Sequence, residues 1–261
     1  MKKVNKLNAL SFSMAAALLL TIGQNAVAHT RLDVSSTPAG VRTNNYVVIT
    51  HGCGNESGGS NPVVGTSVVF PDGQDSVIMV DGAPHDGAID SFLENWGNNN
   101  QAFMDRSVFD DMGEKQDDLG NVSGFWAAGG KGMPPNFYAR VPFRTSAVNF
   151  VEGSCAKSVK VNVEIVDVCK VTRENKLHEA GVADLWTHTS DSPMRAGQST
   201  VYDREGPADN GPASLTITNP QFAANPGACD AWQEVVMSPS AAQINRDMPI
   251  VNSKGRKVWP K

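Results

Sequence analysis

The chain has 261 residues, formal charge −5, 40% hydrophobic residues and four cysteines. Its acidic balance argues against a nucleic-acid backbone as partner and fits a cationic partner or none. The length allows one large all-β domain or two small ones, with a substantial hydrophobic core.

Lys2, Lys3 and Lys6 open the chain, Leu7 to Ile22 is largely apolar, and Ala26-Val27-Ala28 has the small-x-small form that signal peptidase reads. Residues 1–28 are therefore expected to be a secretory signal peptide. Their removal takes away three lysines and leaves a mature chain of charge −8. The apolar run, broken by Asn8, Ser11 and Ser13, is too short for a stable span, and no later stretch approaches the required length. The expectation is an exported protein without a membrane span, in the periplasm, outside the cell or on its surface. Cys53, Cys155, Cys169 and Cys229 are then expected to form two disulfides. Three pairings are open, and the absence of a C-x-x-C pair argues against thiolate zinc or thioredoxin-like redox chemistry.

Short β-like runs follow in order: Thr30–Ser35, Tyr46–Thr50, Thr66–Phe70, Asp75–Val80, Phe137–Phe143, Ser158–Val168 and Ser214–Thr218. Between them stand breakers such as Thr37-Pro38-Ala39-Gly40, Pro71-Asp72-Gly73 and Gly129-Gly130-Lys131-Gly132-Met133-Pro134-Pro135. Asn100–Met112 suits a short helix or a loop. The fold class expected is all-β, an immunoglobulin-like β-sandwich over residues 29–169. Residues 170–261 read as a loop-rich C-terminal extension or small subdomain.

Cleavage after Ala28 makes His29 the first residue. Such a histidine offers a metal two nitrogens at once, its α-amine and its imidazole Nδ1, which close a chelate ring. Their ordinary pKa values, about 7.7–8.0 and about 6.5, let a strongly binding ion displace both protons near neutrality. A planar nitrogen set favours Cu(II). Pro38-Ala39-Gly40 lies midway between His29 and His51, so a chain reversed there brings both histidines to one edge of the fold. His51 then completes a three-nitrogen brace.

Ala28-His29-Thr30-Arg31-Leu32, Pro38-Ala39-Gly40, Val48-Ile49-Thr50-His51-Gly52-Cys53-Gly54 and Val68-Val69-Phe70-Pro71-Asp72-Gly73 resemble the YcnI-like copper-binding family. Phe125-Trp126-Ala127-Ala128-Gly129-Gly130, with Pro134, Tyr138 and Phe143, is similar to its tryptophan-Gly-Gly segment and following strand. The likeness covers roughly residues 28 to 169. It implies copper held by His29 and a second ligand at Thr50-His51-Gly52, where local chemistry nominates His51. It also implies Trp126 as the tryptophan beside the metal, and Cys53 paired with Cys155 or Cys169. The family's PGW segment is replaced here by a long polar insertion containing Trp96.

Trp186-Thr187-His188 is a second candidate, because residues i and i+2 of a strand share a face. The W-x-H pair is weakly similar to surface copper proteins of methane-oxidising bacteria, and makes Trp186 and His188 alternative metal ligands. No G-x-S-x-G or H-E-x-x-H motif is present. The expectation is a non-enzymatic copper-binding protein acting in copper homeostasis or acquisition, with periplasmic or outer-membrane copper-transport proteins as partners. The alternatives are a copper-dependent oxidase or oxygenase and a structural surface protein. Because the proposed brace lies before residue 170, the C-terminal part is expected to be dispensable for copper binding.

Overall fold

A computed structural model describes residues 29–188 and 213–261; the expected signal peptide lies outside the described residues. Strands are numbered along the chain. One sheet has the order β1 (Arg31–Leu32), β3 (Thr43–Ile49), β13 (Ala139–Thr145), β10 (Asn100–Ala102). A second runs β11 (Asp111–Gln116), β12 (Val122–Met133), β6 (Val63–Val69), β16 (Glu164–Val168), β17 (Ala183–Trp186). The third runs β2 (Ser36–Pro38), β18 (Ser214–Thr218), β15 (Ala156–Asn162), β19 (Gln233–Pro239), β7 (Ser76–Val80), β8 (Ala83–Pro84). Small ribbons join β4 (Cys53–Gly54) to β5 (Ser60–Asn61), β9 (Leu93–Glu94) to β14 (Asn149–Phe150), and β20 (Ile250–Val251) to β21 (Lys257–Trp259). This is an all-β sandwich, the class the strand punctuation predicts.

Side chains from all three sheets meet in one core, among them Val47, Ile49, Phe143, Phe125, Ile165, Val161, Leu215 and Met237. The second sheet is buried on both faces, which is why β6 and β16 lack the alternation of a half-exposed strand. Its outer face, with Val69, Trp126, Val166 and Leu185, is covered by Leu177, Ile244, Met248 and Trp259. The covering helix, Ala241–Asp247, is capped at its start by the Ser240 side chain. Arg246 clamps it to the loop after β6 through Asp72 and Asp75, each at 2.6 Å. Lys115 donates to the Pro249 carbonyl at 2.9 Å. Burial pushes this amine down to about 7, against the opposing pull of Asp247.

Several expected boundaries move. Thr30–Ser35 gives only β1, which pairs with β3, whereas β2 joins another sheet beside β18. Ser158–Val168 is two strands: the chain leaves one sheet at Asn162 and enters another at Glu164, with the Val163 amide held by the Ala213 carbonyl. Asn100–Met112 forms no helix; it supplies β10 and the start of β11. The polar insertion carries Ile89, Phe92, Leu93 and Trp96 into the core.

The described residues of 170–261 are not an appendage: they supply β17, β18 and β19, and β19 lies inside its sheet between β15 and β7. A boundary at residue 169 would cut through both sheets. Two disulfides are present, Cys53–Cys169 and Cys155–Cys229, so Cys53 has one of its two expected partners.

Candidate metal centre

The pairing of β1 with β3 sets Arg31 across from Val48 and Leu32 across from Val47. Continued by two residues, that register puts His29 across from Thr50, one position short of His51. The chain does reverse near Gly40, where φ is +76°. The two histidines meet at a third residue, Trp186. The His29 ring stands edge-on to its indole at 4.9 Å between centroids, and the His51 ring at 6.0 Å.

Trp186 ends β17 and is 1% exposed. Its indole N–H donates to Asp167 Oδ2 at 3.0 Å. The Thr30 hydroxyl donates to the same oxygen at 2.5 Å, and the Thr66 hydroxyl to Oδ1 at 3.1 Å. One buried carboxylate on β16 thus ties the indole to the residue next to His29. Thr30, 2% exposed and hydrogen-bonded to Asp167, fixes the chain beside His29.

His51 is fixed by its neighbours in sequence. Its Nδ1 lies 2.8 Å from the Gly52 carbonyl oxygen. A carbonyl only accepts, so Nδ1 carries the proton and Nε2 is left as the coordinating nitrogen. Gly52 is required by close approach: a Cβ there would fall 2.0 Å from the Asn61 carbonyl oxygen. Cys53 then bonds Cys169, two residues beyond Asp167. The disulfide therefore pins the His51 loop to the strand that carries the central carboxylate. Gly52 also donates to the Pro135 carbonyl at 3.3 Å, which sets the exposed Phe137 and Tyr138 turn beside the site.

A second acid completes the arrangement. Asp184 is the cross-strand partner of Asp167, and its Oδ2 lies 4.0 Å from His51 Nδ1. Burial, reinforced by the charge of Asp167 and opposed by His51, pushes the Asp184 carboxyl up to about 6. Burial also raises Asp167, against the lowering effect of its donors Thr30, Trp186 and Thr66 and of the His51 charge.

Two sequence-predicted residues stand elsewhere. Trp126 lies on the opposite face of the same sheet, packed over Gly113, where an added Cβ would fall 2.6 Å from its Nε1. The tryptophan beside the histidines is therefore Trp186. His188 does not share its place: β17 ends at Trp186, the His188 amide donates to Glu164 Oε2 at 2.7 Å, and its Nδ1 lies 3.3 Å from Glu164 Oε1. Sequence reasoning missed Asp167 and Asp184. Neither belongs to a motif, and only strand pairing brings them together.

Among the described residues no three His, Cys, Asp or Glu side chains form a metal cage. The two imidazoles are gathered on one indole, with Asp167 and the Cys53–Cys169 disulfide behind them.

Among the described residues no helix is long and apolar enough to cross a membrane. No family model matches the chain, and no curated protein is significantly similar to it. Among solved structures, the crystal structure of an uncharacterized protein from Nocardia farcinica, described as having an immunoglobulin-like fold, is similar to 73% of this chain and 99% of its own, at 11% sequence identity and a TM-score of 0.39.

Proposed function

We propose that the mature protein is an exported copper-binding protein, acting in copper homeostasis or acquisition in the periplasm or at the cell surface. The ion is bound by the α-amine and imidazole of His29 and by His51 Nε2. The observation that carries this reading is the convergence of His29 and His51 on Trp186, from opposite ends of a 23-residue segment. Two disulfides support an oxidising compartment. The exposed Phe137 and Tyr138 beside His51 support contact with a copper donor or acceptor protein.

The test is a copper titration of the protein beginning at His29 against one beginning with an added alanine. The chelate needs a free first residue, so the extension is expected to weaken Cu(II) binding at least about 100-fold, an order of magnitude for each of roughly 1.4 kcal/mol lost. His51→Ala should leave a weaker amine and imidazole chelate. Equal affinity with and without the extra alanine would remove the brace.

A further inference from the structure

Asp167 and Asp184 stand directly opposite one another across β16 and β17. Side chains so paired share a face of the sheet, where like charges repel. Burying such a pair costs stability unless something offsets it. Asp167 has an evident structural use, since three donors converge on it. Asp184 has none of comparable kind. Its side chain is 15% exposed, and its contact with a charged neighbour is the 4.0 Å approach to His51 Nδ1. That distance is beyond a hydrogen bond.

We infer that Asp184, backed by Asp167, is an electrostatic positioning layer beneath the two histidines that makes the site prefer Cu(II) to Cu(I). The inference rests on the copper reading above. Amine and imidazole donors are neutral when they coordinate, so the ligands leave the charge of the ion uncompensated. The attraction of a carboxylate grows with that charge, and a dication gains twice what a monocation gains at the same distance. The Gly52 carbonyl takes the hydrogen bond that orients the His51 ring, and Asp184, on the same Nδ1 side, adds negative charge behind it. Asp167 performs the same service for the other half of the site, through Thr30 and Trp186.

The test compares mature wild type, Asp184→Asn and Asp184→Glu by chelator competition for Cu(II) and separately for Cu(I). Asp184→Asn is expected to lose about tenfold in Cu(II) affinity and less than about threefold in Cu(I) affinity, which raises the one-electron copper potential by about 59 mV for a tenfold change in ratio. Asp184→Glu keeps the charge and should stay within about threefold of wild type for both ions. The Cu(II) hyperfine pattern should be shared by all three, because the ligand set does not change. Should Asp184→Asn fail to fold, Asp184→Ser carries the same expectation. An unchanged affinity ratio, an equal loss for both ions, or a hyperfine pattern showing loss of an oxygen ligand would each overturn the assignment. A wild type that binds neither ion removes the copper reading itself. A wild type that binds Cu(II) alongside an Asp184→Asn variant with undiminished preference removes only the acid layer.

Discussion

The two faces of the central sheet are built from the same strands and hold a tryptophan each, yet they do different work. On the outer face Trp126 lies over Gly113 in an apolar cluster with Val69, Val166 and Leu185, beside Ser67. On the inner face Trp186 is equally buried, but it donates to a carboxylate and meets two imidazoles. Burial alone does not mark a functional aromatic. What distinguishes Trp186 is the satisfied polar layer around it, retained where an apolar packing would have been cheaper.

That contrast can be broken most sharply at Trp126. Trp126→Ala should cost about 3–5 kcal/mol in denaturant unfolding, while copper affinity stays within about twofold, since no ligand touches it. A large loss of copper binding in a folded Trp126→Ala protein would erase the distinction between the faces. Replacing Cys53 and Cys169 together by alanine opens a loop whose ends are 116 residues apart. The expected cost is about 4 kcal/mol, accompanied by weaker copper binding because the His51 loop is released. Removing the Cys155–Cys229 bridge in the same way should lower stability and leave copper affinity unchanged.

Asp184 gives a pH-dependent version of the comparison in the metal-free protein. Its folded-state value of about 6 exceeds the ordinary 3.8, so the folded chain holds this proton more tightly than the unfolded one. The stability it contributes is therefore full below about pH 4 and is lost as pH rises through 6. Asp184→Asn has no proton to lose. It should unfold at higher denaturant than wild type above pH 6.5, by up to about 3 kcal/mol at 1.36 kcal/mol per unit, with the gap closing toward pH 4. A gap independent of pH would mean that the carboxylate is not under this strain. The smallest effect is expected from Trp186→Phe, which removes the indole donor to Asp167. Its cost should be about 1–2 kcal/mol by thermal unfolding, with loss of the tryptophan fluorescence change expected on copper addition to wild type.

Where sequence periodicity is local it could be read: Ser214–Thr218 is the strand expected, with Leu215 and Ile217 turned inward. Reversal about Gly40 was also legible, because a midpoint between two histidines is a short-range property. Val122–Met133 was not, since Gly129, Gly130 and Gly132 look like breakers. In the fold they form a bulge at which the pairing with β6 jumps from Ala128 to Met133. Val163 continues the apolar/polar alternation of Val159, Val161 and Ile165, and carries no sign that the chain changes sheets there. Trp186 and His188 fit the period-two rule, but that rule holds only inside a strand, and this strand ends between them. The opposition of Asp167 and Asp184 is set by register alone, and register between β16 and β17 depends on the fold around them.

The sheet order imposes a schedule. β19, at Gln233–Pro239, is inserted between β15 and β7, running parallel to the first and antiparallel to the second. Until those residues have been synthesised, β15 and β7 each present an unpaired edge, and contacts of such long sequence separation form slowly. A chain halted before Gln233 would keep both edges open to pairing with other chains. Closure of the third sheet therefore waits for Gln233–Pro239, and a nascent chain that has not yet released those residues is a molecule unable to close its sandwich.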